Sequence, residues 1–331
     1  MKCDIVIPVY NHFEWVKLCV KAIFANTNMK VVNKVLIIDD NSSIETKEEL
    51  KKIREKYGEK IELIFNKKNQ GFVKNCNYAM KITSSDYVLL LNSDCIISKN
   101  AIEKMLRTLT KDKKIGLLCP ISSKAANLTF PLIEGLNYQD INSLFEKQFK
   151  DKIFDACTVV GNCLMISRKC INTIGYFDEI FEKGYTEETD YQFRALKEGF
   201  KAKVLIDTYV FHECRVSFGE DEKQLKIRQE HLSIFFDRWG KEYNKLYEKY
   251  EKNDPIKYIK EHLNINDIDY FLKYKLSKKV TEKEINELND LIIEGHKIKI
   301  EVNKKNNSWE KFNTLFIPRK TSLKKITIER K

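Results

Sequence analysis

The sequence of 331 residues contains no C-x-x-C pair, although it has nine cysteines. An odd number of cysteines without paired spacing excludes a disulfide framework and a zinc knuckle as the basis of the fold. Several of them, such as Cys76, Cys119 and Cys163, lie inside apolar stretches, where a free thiol behaves as a small hydrophobic side chain. This usage is typical of a protein in a reducing compartment.

Long apolar runs are also absent, because no stretch approaches the roughly 18 apolar residues that cross a bilayer. The first residues, MKCDIVIPVY, have the pattern of a strand and lack the charged start and apolar core of a signal peptide. We therefore expect a cytoplasmic protein, with the inner face of the cell membrane as the alternative location.

Basic charge is concentrated in the last part of the chain. The formal net charge is +11, and residues 241–331 hold 22 Lys and Arg against 15 Asp and Glu. This excess predicts either an anionic partner, such as membrane headgroups or nucleic acid, or a lysine-rich solvated surface. No aromatic-basic motif of the RRM type and no zinc pattern accompanies the charge. We therefore predict no nucleic-acid partner, and peripheral membrane contact through the basic part.

Strand-like and helix-like segments alternate through the first half of the chain. Predicted strands at 5–9, 35–38, 61–65 and 87–91 alternate with predicted helices at 14–25, 45–57, 72–82 and 101–109. This order predicts an α/β fold with a Rossmann-like, mostly parallel sheet. The strands are continuous apolar runs, which indicates that helices cover both faces of the sheet.

The alternation stops after residue 117. We predict a polar loop at 122–144, a strand and a short helix within 158–179, and an acidic amphipathic helix within 184–199. A strand at 203–211 is followed by helical patterns at 225–239, 243–250 and within 256–295, and by two further strands at 298–302 and 325–328. A boundary near residue 240 would divide the chain into a first domain, 1–240, and a basic, mainly helical C-terminal extension, 241–331.

Polar and acidic clusters follow three of the predicted strands. They are IPVYNH at the first, DDNSS at 39–43 and NSD at 92–94. A single Asp after a strand is usually a helix cap or a turn residue. However, ligands of open parallel sheets bind outside the carboxyl ends of the strands. Three clusters at one edge therefore predict a cleft lined by carboxylates, amides and a hydroxyl.

Seven segments, in order, resemble the inverting nucleotide-sugar glycosyltransferases of family 2. They are IVIPVYNH, IIDDNSS, KNQGFVKNCN, YVLLLNSDC, VVGNCLMISRKCINTIGYFDE, GYTEETDYQFRALKEGFK and FHECRVSFG, and together they span roughly residues 3–220. The resemblance implies a GT-A fold for residues 1–240. It also implies transfer, with inversion, of a sugar from a UDP- or dTDP-sugar to a hydroxyl of a glycan or lipid-linked acceptor, in cell-surface polysaccharide synthesis.

The resemblance places the nucleotide against loops at this edge of the sheet. Asp40 resembles the family carboxylate that accepts a hydrogen bond from a pyrimidine base, with an Asx turn or a helix cap as the alternative. Gly71 would allow close approach of the backbone, and Lys74 would face phosphate or else be a solvated lysine. The residues expected around the nucleotide are Pro8, Val9, Tyr10, Asn11, Asp40, Gly71, Lys74, Asn77, Asn92 and Ser93.

A divalent ion, Mn²⁺ or Mg²⁺, would offset the charge that the diphosphate gains as it departs. Asp94 supplies a carboxylate oxygen of the kind that these ions prefer. Many members of the fold present Asp-x-Asp, but the first position here is Asn92, whose amide brings no charge. We expect Asn92 to contact ribose or to orient Asp94. His212 resembles the late histidine that completes the metal sphere in some members, and the alternative is an ordinary buried or surface histidine.

The acceptor hydroxyl requires a base that is ionised near neutral pH. By resemblance to the acidic pair of the family, Glu188 takes this position, with Glu187 as the competitor. The alternative for these acids is stabilisation of a helix N-terminus, and Asp190 with Arg194 forms an i,i+4 pair that would then be structural. The residues expected beside the sugar and acceptor are Gly161, Asn162, Glu187 and Asp190.

A second function class is a non-catalytic member that binds nucleotide or glycan and acts through partners. The presence of Asp40, Asp94, Glu188 and His212 argues against it, because a site without activity would be expected to lose some of these residues.

Overall fold

The computed structural model describes residues 1–133, 135–182, 184–214, 222–264 and 266–268. The strands are β1 Cys3–Val9, β2 Val32–Asp39, β3 Ile61–Phe65, β4 Tyr87–Leu91, β5 Cys95–Ile97, β6 Ile115–Ser122, β7 Ile153–Asp155, β8 Cys163–Ser167 and β9 Lys201–His212. The helices are α1 Phe13–Asn26, α2 Ile44–Tyr57, α3 Phe72–Ile82, α4 Ala101–Lys111, α5 Tyr138–Phe149, α6 Arg168–Ile174, α7 Glu187–Lys197, α8 Glu222–Lys252 and α9 Pro255–His262. The predicted alternation of strands and helices is confirmed.

The strands form one sheet in the order β3-β2-β1-β4-β8-β6-β9-β5, with β7 paired to β9. The strands β3, β2, β1 and β4 are mutually parallel. β8 runs antiparallel to both β4 and β6, whereas β9 is parallel to β6 and antiparallel to β5. β5 follows β4 in the chain after only three residues, yet it is the last strand of this order and pairs with the end of β9.

Both faces of the central strands are covered. All five residues of β4 are buried, without the alternation of a half-exposed strand. In β1 only Pro8 is partly exposed. Such continuous burial is expected where helices pack on each side of a parallel sheet. Because the strands themselves are apolar, the polar residues of this region lie at the strand ends.

The predicted loop at 122–144 is wrong in part. A short 3₁₀ helix forms at Ala126–Leu128, and α5 begins at Tyr138. The local reason is a capping box, in which the Asn137 side chain accepts from the backbone of Asp140 while the Asp140 side chain accepts from the backbone of Asn137.

The two helices predicted at 225–239 and 243–250 are one continuous helix, α8. Gly240 lies in its interior, where a glycine costs about 1 kcal/mol of stability relative to alanine. A Cβ added at this position would lie 3.7 Å from the ring of Phe236. Residue 240 therefore falls inside a helix, and the division into two domains at this position stays a prediction.

Only some of the elements predicted after residue 255 lie among the described residues. α9 begins at Pro255 and accounts for the first of the helices predicted within 256–295. The predictions beyond residue 268, including the strands at 298–302 and 325–328, lie outside the described residues. None of the described helices is long and apolar enough to cross a membrane.

Candidate active site

The chain leaves β4 at Leu91 and turns through Asn92, Ser93 and Asp94 into β5. The turn is fixed by its backbone, since Asn92 N–H donates to the carbonyl of Asn162 at 2.9 Å and Cys95 N–H donates to the carbonyl of Asn92 at 3.0 Å. Antiparallel pairing of β5 with β9 sets Cys95 opposite His212. This pairing brings Asp94 and His212 together, although they are 118 residues apart in the sequence.

Asp94 and His212 face each other as a potential ligand pair. The distance from Asp94 Oδ1 to His212 Nε2 is 3.3 Å, and each residue is only 7% exposed. His212 Nδ1 lies 2.7 Å from the carbonyl of Lys124. A carbonyl can only accept, so Nδ1 carries a proton, and a neutral ring then directs the lone pair of Nε2 at the carboxylate.

Two electron-rich atoms at this distance repel unless a proton or a cation lies between them. Adjacent ligands of an octahedral ion with bonds of 2.1–2.2 Å are about 3 Å apart, close to the observed spacing. A metal-binding histidine also commonly donates its other ring N–H to a carbonyl, as His212 does to Lys124. The donor set therefore fits a divalent ion.

The second part of the site is the acidic start of α7. Three successive residues before it, Gly184, Tyr185 and Thr186, have positive φ values of 118°, 70° and 80°. Two of these are not glycine, and such left-handed backbone is costly for them and concentrates at functional sites. The strained turn fixes the direction in which Glu187 and Glu188 leave the backbone.

Both glutamates have a side-chain oxygen, Oε2, that is shielded from solvent and has no hydrogen-bond partner. Burial raises the pKa of Glu187 well above its usual range, and the neighbouring Glu188 charge raises it further. Burial also raises the pKa of Glu188, whereas hydrogen bonds from backbone groups of Glu188 and Gly161 and from the Glu187 side chain oppose the rise. We infer that a proton shared by the pair resides on Glu187, which leaves Glu188 as the ionised carboxylate that can accept a proton.

Gly161 and Asn162 join the two parts. A Cβ at Gly161 would lie 3.7 Å from the carboxyl carbon and Oε1 of Glu188, in ordinary van der Waals contact with the candidate base. The carbonyl of the next residue, Asn162, accepts from Asn92 N–H, and its amide donates to Ser122 Oγ at 2.8 Å. The Gly161–Asn162 loop is thus hydrogen-bonded both to the turn at residues 92–94, called the metal-side turn below, and to Glu188 of the acidic pair.

The loops after β1 and β2 are tied to each other. Asn11 N–H donates to Ser42 Oγ at 2.8 Å, and Asn11 Oδ1 accepts from Ser43 N–H at 2.9 Å. Val9 is buried, and its carbonyl accepts from Asp40 N–H at 2.7 Å. Tyr10 is exposed, so its ring is accessible to a ligand.

Asp40 is buried and anchors the loop that precedes α3. Its Oδ1 accepts from Gln70 N–H at 2.7 Å and from Asn66 Nδ2 at 3.0 Å, and its Oδ2 accepts from Gly71 N–H at 2.9 Å. A carboxylate oxygen has two lone pairs, so Oδ2 can accept one more hydrogen bond. Asp39 is held differently, since its carboxylate accepts from Ser42 N–H and burial raises its pKa.

Two of the residues expected under the nucleotide have different surroundings. Lys74 is exposed and lines a cavity of about 290 Å³ together with Asn69, Gln70, Glu179 and Glu182. The side chain of Asn77 is buried, and both ends of its amide bond the backbone of Phe177 at 2.9 Å. The placement of Asn77 thus favours a role in holding the turn at Phe177, and its predicted nucleotide contact stays a prediction.

Asp190 is fully buried and its carboxylate is occupied by the protein itself. Oδ2 accepts from Arg194 Nε at 2.9 Å, and Oδ1 accepts from Trp239 Nε1 at 2.9 Å and from Arg238 Nη1 at 3.1 Å. These contacts favour the structural alternative for Asp190 and Arg194, and a sugar or acceptor contact for Asp190 stays a prediction.

Sequence reasoning missed the residues of α8 that hold this part of the site. His231 is buried and its Nδ1 contacts the carbonyls of Gly184 at 2.9 Å and Tyr185 at 3.2 Å, within the strained turn. Arg238 and Trp239 lie about two turns further along α8 and donate hydrogen bonds to the carboxylate of Asp190. The only signal in the sequence is their spacing on one face of α8, and nothing local indicates that they contact α7.

The match to known families is consistent with this geometry. The model of "Glycosyl transferase family 2" matches residues 4–175, which is more than half of the chain. The chain belongs to glycosyl transferase family 2. The matched residues of this family 2 chain include the metal-side turn and the Gly161–Asn162 loop, whereas α7, His212 and α8 lie beyond the match.

Individual relatives of this family 2 chain are distant. "Inactive polypeptide N-acetylgalactosaminyltransferase-like protein 5" of Mus musculus is 23% identical over 191 residues, 53% of this chain and 44% of the relative. "Glycosyltransferase AglE" of Haloferax volcanii is 22% identical over 233 residues, 70% of this chain and 73% of the relative. The chain therefore spans less than half of the length of the mouse relative.

Among solved structures, the family 2 chain resembles GalNAc-T7 crystallised with UDP, GalNAc and Mn²⁺. The TM-score is 0.58 at 14% identity, over 73% of this chain and 50% of that chain. This likeness confirms the predicted GT-A fold.

Proposed function

We propose that this protein transfers a sugar from a UDP- or dTDP-sugar to a hydroxyl of a glycan or lipid-linked acceptor, with inversion, in cell-surface polysaccharide synthesis. The observation that carries the proposal is the Gly161–Asn162 loop. Its backbone is hydrogen-bonded to Glu188 on one side and to the turn that holds Asp94 on the other. A base for the acceptor and a site for the departing diphosphate thereby flank one position, where a donor sugar would lie.

The residues of the site then have separate tasks. Glu188 removes the proton of the attacking hydroxyl, and a single displacement inverts the anomeric centre without a covalent enzyme intermediate. Asp40 accepts a hydrogen bond from the pyrimidine through the remaining lone pair of Oδ2. The loop at 8–11, Gly71, Lys74, Asn92 and Ser93 surround the nucleotide.

Asp94 and His212 would hold a divalent ion, Mn²⁺ or Mg²⁺. When bound, such an ion supplies positive charge against the departing diphosphate. Protein ligands to Mg²⁺ in such sites are often only one or two carboxylates, with substrate phosphates completing the sphere, so the amide at Asn92 in place of a second Asp is compatible with the proposal.

The test is release of nucleoside diphosphate from a panel of UDP- and dTDP-sugars, with and without Mn²⁺. We expect release with at least one donor, stimulated by the ion and by an acceptor. Asp94→Asn should weaken Mn²⁺ binding, measured by electron paramagnetic resonance of the free ion, by at least tenfold, because the carboxylate of the proposed ligand pair is lost. Metal affinity unchanged by Asp94→Asn would contradict the assigned ligand pair.

A second candidate is a non-catalytic protein that binds nucleotide or glycan and acts through partners. It is favoured by one finding, the word "Inactive" in the name of the mouse relative. This alternative predicts that the chain binds a nucleotide sugar in a calorimeter but releases no nucleoside diphosphate with any donor and acceptor. The partnerless oxygens of Glu187 and Glu188 favour the catalytic proposal, since a buried acidic pair without a task is costly to keep.

The proposed location is the cytoplasm, with contact to the inner face of the cell membrane through residues 241–331. Five lysines of the described part, Lys241, Lys245, Lys249, Lys252 and Lys257, are exposed. We expect the full chain to co-sediment with vesicles that contain anionic lipid, to dissociate as salt is raised, and to leave neutral vesicles unbound. Equal binding to neutral vesicles, or none to anionic ones, would contradict membrane contact through these charges.

A further inference from the structure

Cys95 is a potential metal ligand that the proposed function does not use. It is the first residue of β5 and lies opposite His212 in the antiparallel pairing of β5 with β9. The Sγ atom of Cys95, a carboxylate oxygen of Asp94 and a ring nitrogen of His212 all lie within 4.8 Å of one another. All three residues are buried, and Cys95 is fully so.

The thiol of Cys95 also touches the loop that joins the two parts of the site. Its Sγ–H donates to the carbonyl of Asn162 at 3.3 Å. The same carbonyl accepts from Asn92 N–H at 2.9 Å, and the backbone of the preceding residue, Gly161, is hydrogen-bonded to Glu188. Cys95 Sγ is therefore hydrogen-bonded to the backbone that supports both the metal-side turn and the candidate base.

A sulfur ligand alters which ions such a site prefers. Mn²⁺ and Mg²⁺ favour oxygen, whereas Zn²⁺ accepts Cys sulfur, His nitrogen and carboxylate oxygen as ligands. Affinity for a given set of nitrogen, oxygen and sulfur ligands also increases from Mn²⁺ towards Zn²⁺. With zinc bonds of 2.0–2.3 Å, tetrahedral ligands are separated by about 3.3–3.6 Å. The 3.3 Å between Asp94 Oδ1 and His212 Nε2 already has this value.

We propose that Asp94, Cys95 and His212 form an inhibitory site for a thiophilic divalent ion of the zinc and cadmium class. Binding forms a bond from the ion to Cys95 Sγ and releases the thiol proton to solvent. It therefore breaks the hydrogen bond to the Asn162 carbonyl and displaces the Gly161–Asn162 loop from Glu188. The inhibitory consequence rests on the proposed function, whereas the three-ligand site itself does not.

Co²⁺ added to the full chain is the direct probe, because a thiolate ligand gives a near-ultraviolet sulfur-to-cobalt charge-transfer band. We expect the band in the wild type, its loss in Cys95→Ser and Cys95→Ala, and its retention in the matched control Cys214→Ser. Cys214 lies two residues beyond His212 and is partly exposed, so it is the competing thiol. Cadmium affinity should fall in Cys95→Ser by more than the roughly 10- to 100-fold that loss of an outer-shell partner causes.

Several results would overturn the site. They are bound Co²⁺ without a thiolate band in the wild type, a band that survives Cys95→Ala, or a band that disappears in Cys214→Ser. If the Cys95 variants do not fold, as judged by circular dichroism, X-ray absorption of the zinc-loaded wild type decides instead. One sulfur neighbour of zinc supports the site, and only nitrogen and oxygen neighbours refute it.

Turnover distinguishes this inference from the proposed function. Zinc should inhibit Mn²⁺-supported transfer in the wild type and in Cys214→Ser at similar concentrations, and Cys95→Ser should require at least tenfold more zinc. Tight zinc binding through Cys95 without inhibition would refute the inhibitory role. A chain that shows the cobalt band but never transfers a sugar would leave the site standing and contradict the transferase proposal.

Discussion

Glu188→Gln is expected to lower the turnover of sugar transfer by about 10²- to 10⁴-fold, the usual contribution of a general base. Glutamine fills the same space against Gly161 but cannot take a proton from the acceptor hydroxyl. Binding of the nucleoside diphosphate should be nearly unchanged, because Asp40 and Asp94 remain. Release of nucleoside diphosphate measures the turnover, and calorimetric titration with UDP measures the binding.

The pH dependence of sugar transfer is a second test of the role of Glu188. Since burial raises the pKa of Glu188, this proposed base becomes ionised only at a higher pH than a free glutamate, whose pKa is about 4.3. Transfer should therefore decrease as pH falls through this raised value. The hydrogen bond from Glu187 lowers the pKa of Glu188, so Glu187→Ala should move the decrease to higher pH, whereas Glu187→Gln retains an N–H donor and should move it little.

These variants also separate the two glutamates. Full turnover in Glu188→Gln would show that Glu188 is not the base. Loss of turnover in Glu187→Gln, with Glu188→Gln active, would assign that role to Glu187, the competitor that the sequence left open.

Asp190→Ala is expected to lower the free energy of unfolding by about 3 kcal/mol, because three charged or polar donors lose a buried carboxylate. Arg194, Arg238 and Trp239 come from α7 and α8, so the variant loosens the contact between these helices. The two arginines are partly exposed and can regain water, which keeps the expected cost below that of a fully buried ion pair. Urea unfolding, followed by circular dichroism, measures the change.

Asp178→Ala is the matched control, since Asp178 also accepts from Arg238 Nη1, at 2.9 Å, but its side chain is 37% exposed. It also caps a short 3₁₀ helix through Ile180 N–H. Its loss should cost no more than about 1 kcal/mol. If Asp190→Ala instead keeps wild-type stability and raises the KM for the acceptor, Asp190 contacts substrate, as the family resemblance predicted.

Much of the fold follows from local pattern. The strands β1 to β4 and the helices between them are predictable because each strand is a short apolar run and each helix has the spacing of apolar residues that is typical of an amphipathic helix. The start of α5 was missed because the polar residues before it read as a loop, although Asn137 and Asp140 have the spacing of a capping box. The continuity of α8 through Gly240 was missed because a glycine in a helix is a weak stop signal that packing overrides.

The sequence was sufficient to predict which residues line the candidate site, but not what each of these residues contacts. Asp94, Glu188 and His212 are recognised by their positions in segments that resemble a family. The sequence gives no indication that Asn77 bonds the backbone of Phe177, or that Asp190 is occupied by three protein donors, since each partner comes from a distant part of the chain.

The sequence by itself determined the alternation of strands and helices, the acidic and amide clusters at the strand ends, and membership of a glycosyltransferase family. These depend on residues that are close in the sequence, where periodicity and motif spacing act. Only the tertiary structure decided that β5 pairs with β9, and hence that Asp94, Cys95 and His212 share one small volume. Only the tertiary structure decided that α8 holds the strained turn before Glu187. The physical reason is that burial, hydrogen bonding and the resulting pKa of each carboxylate are set by neighbours that folding brings from elsewhere in the chain.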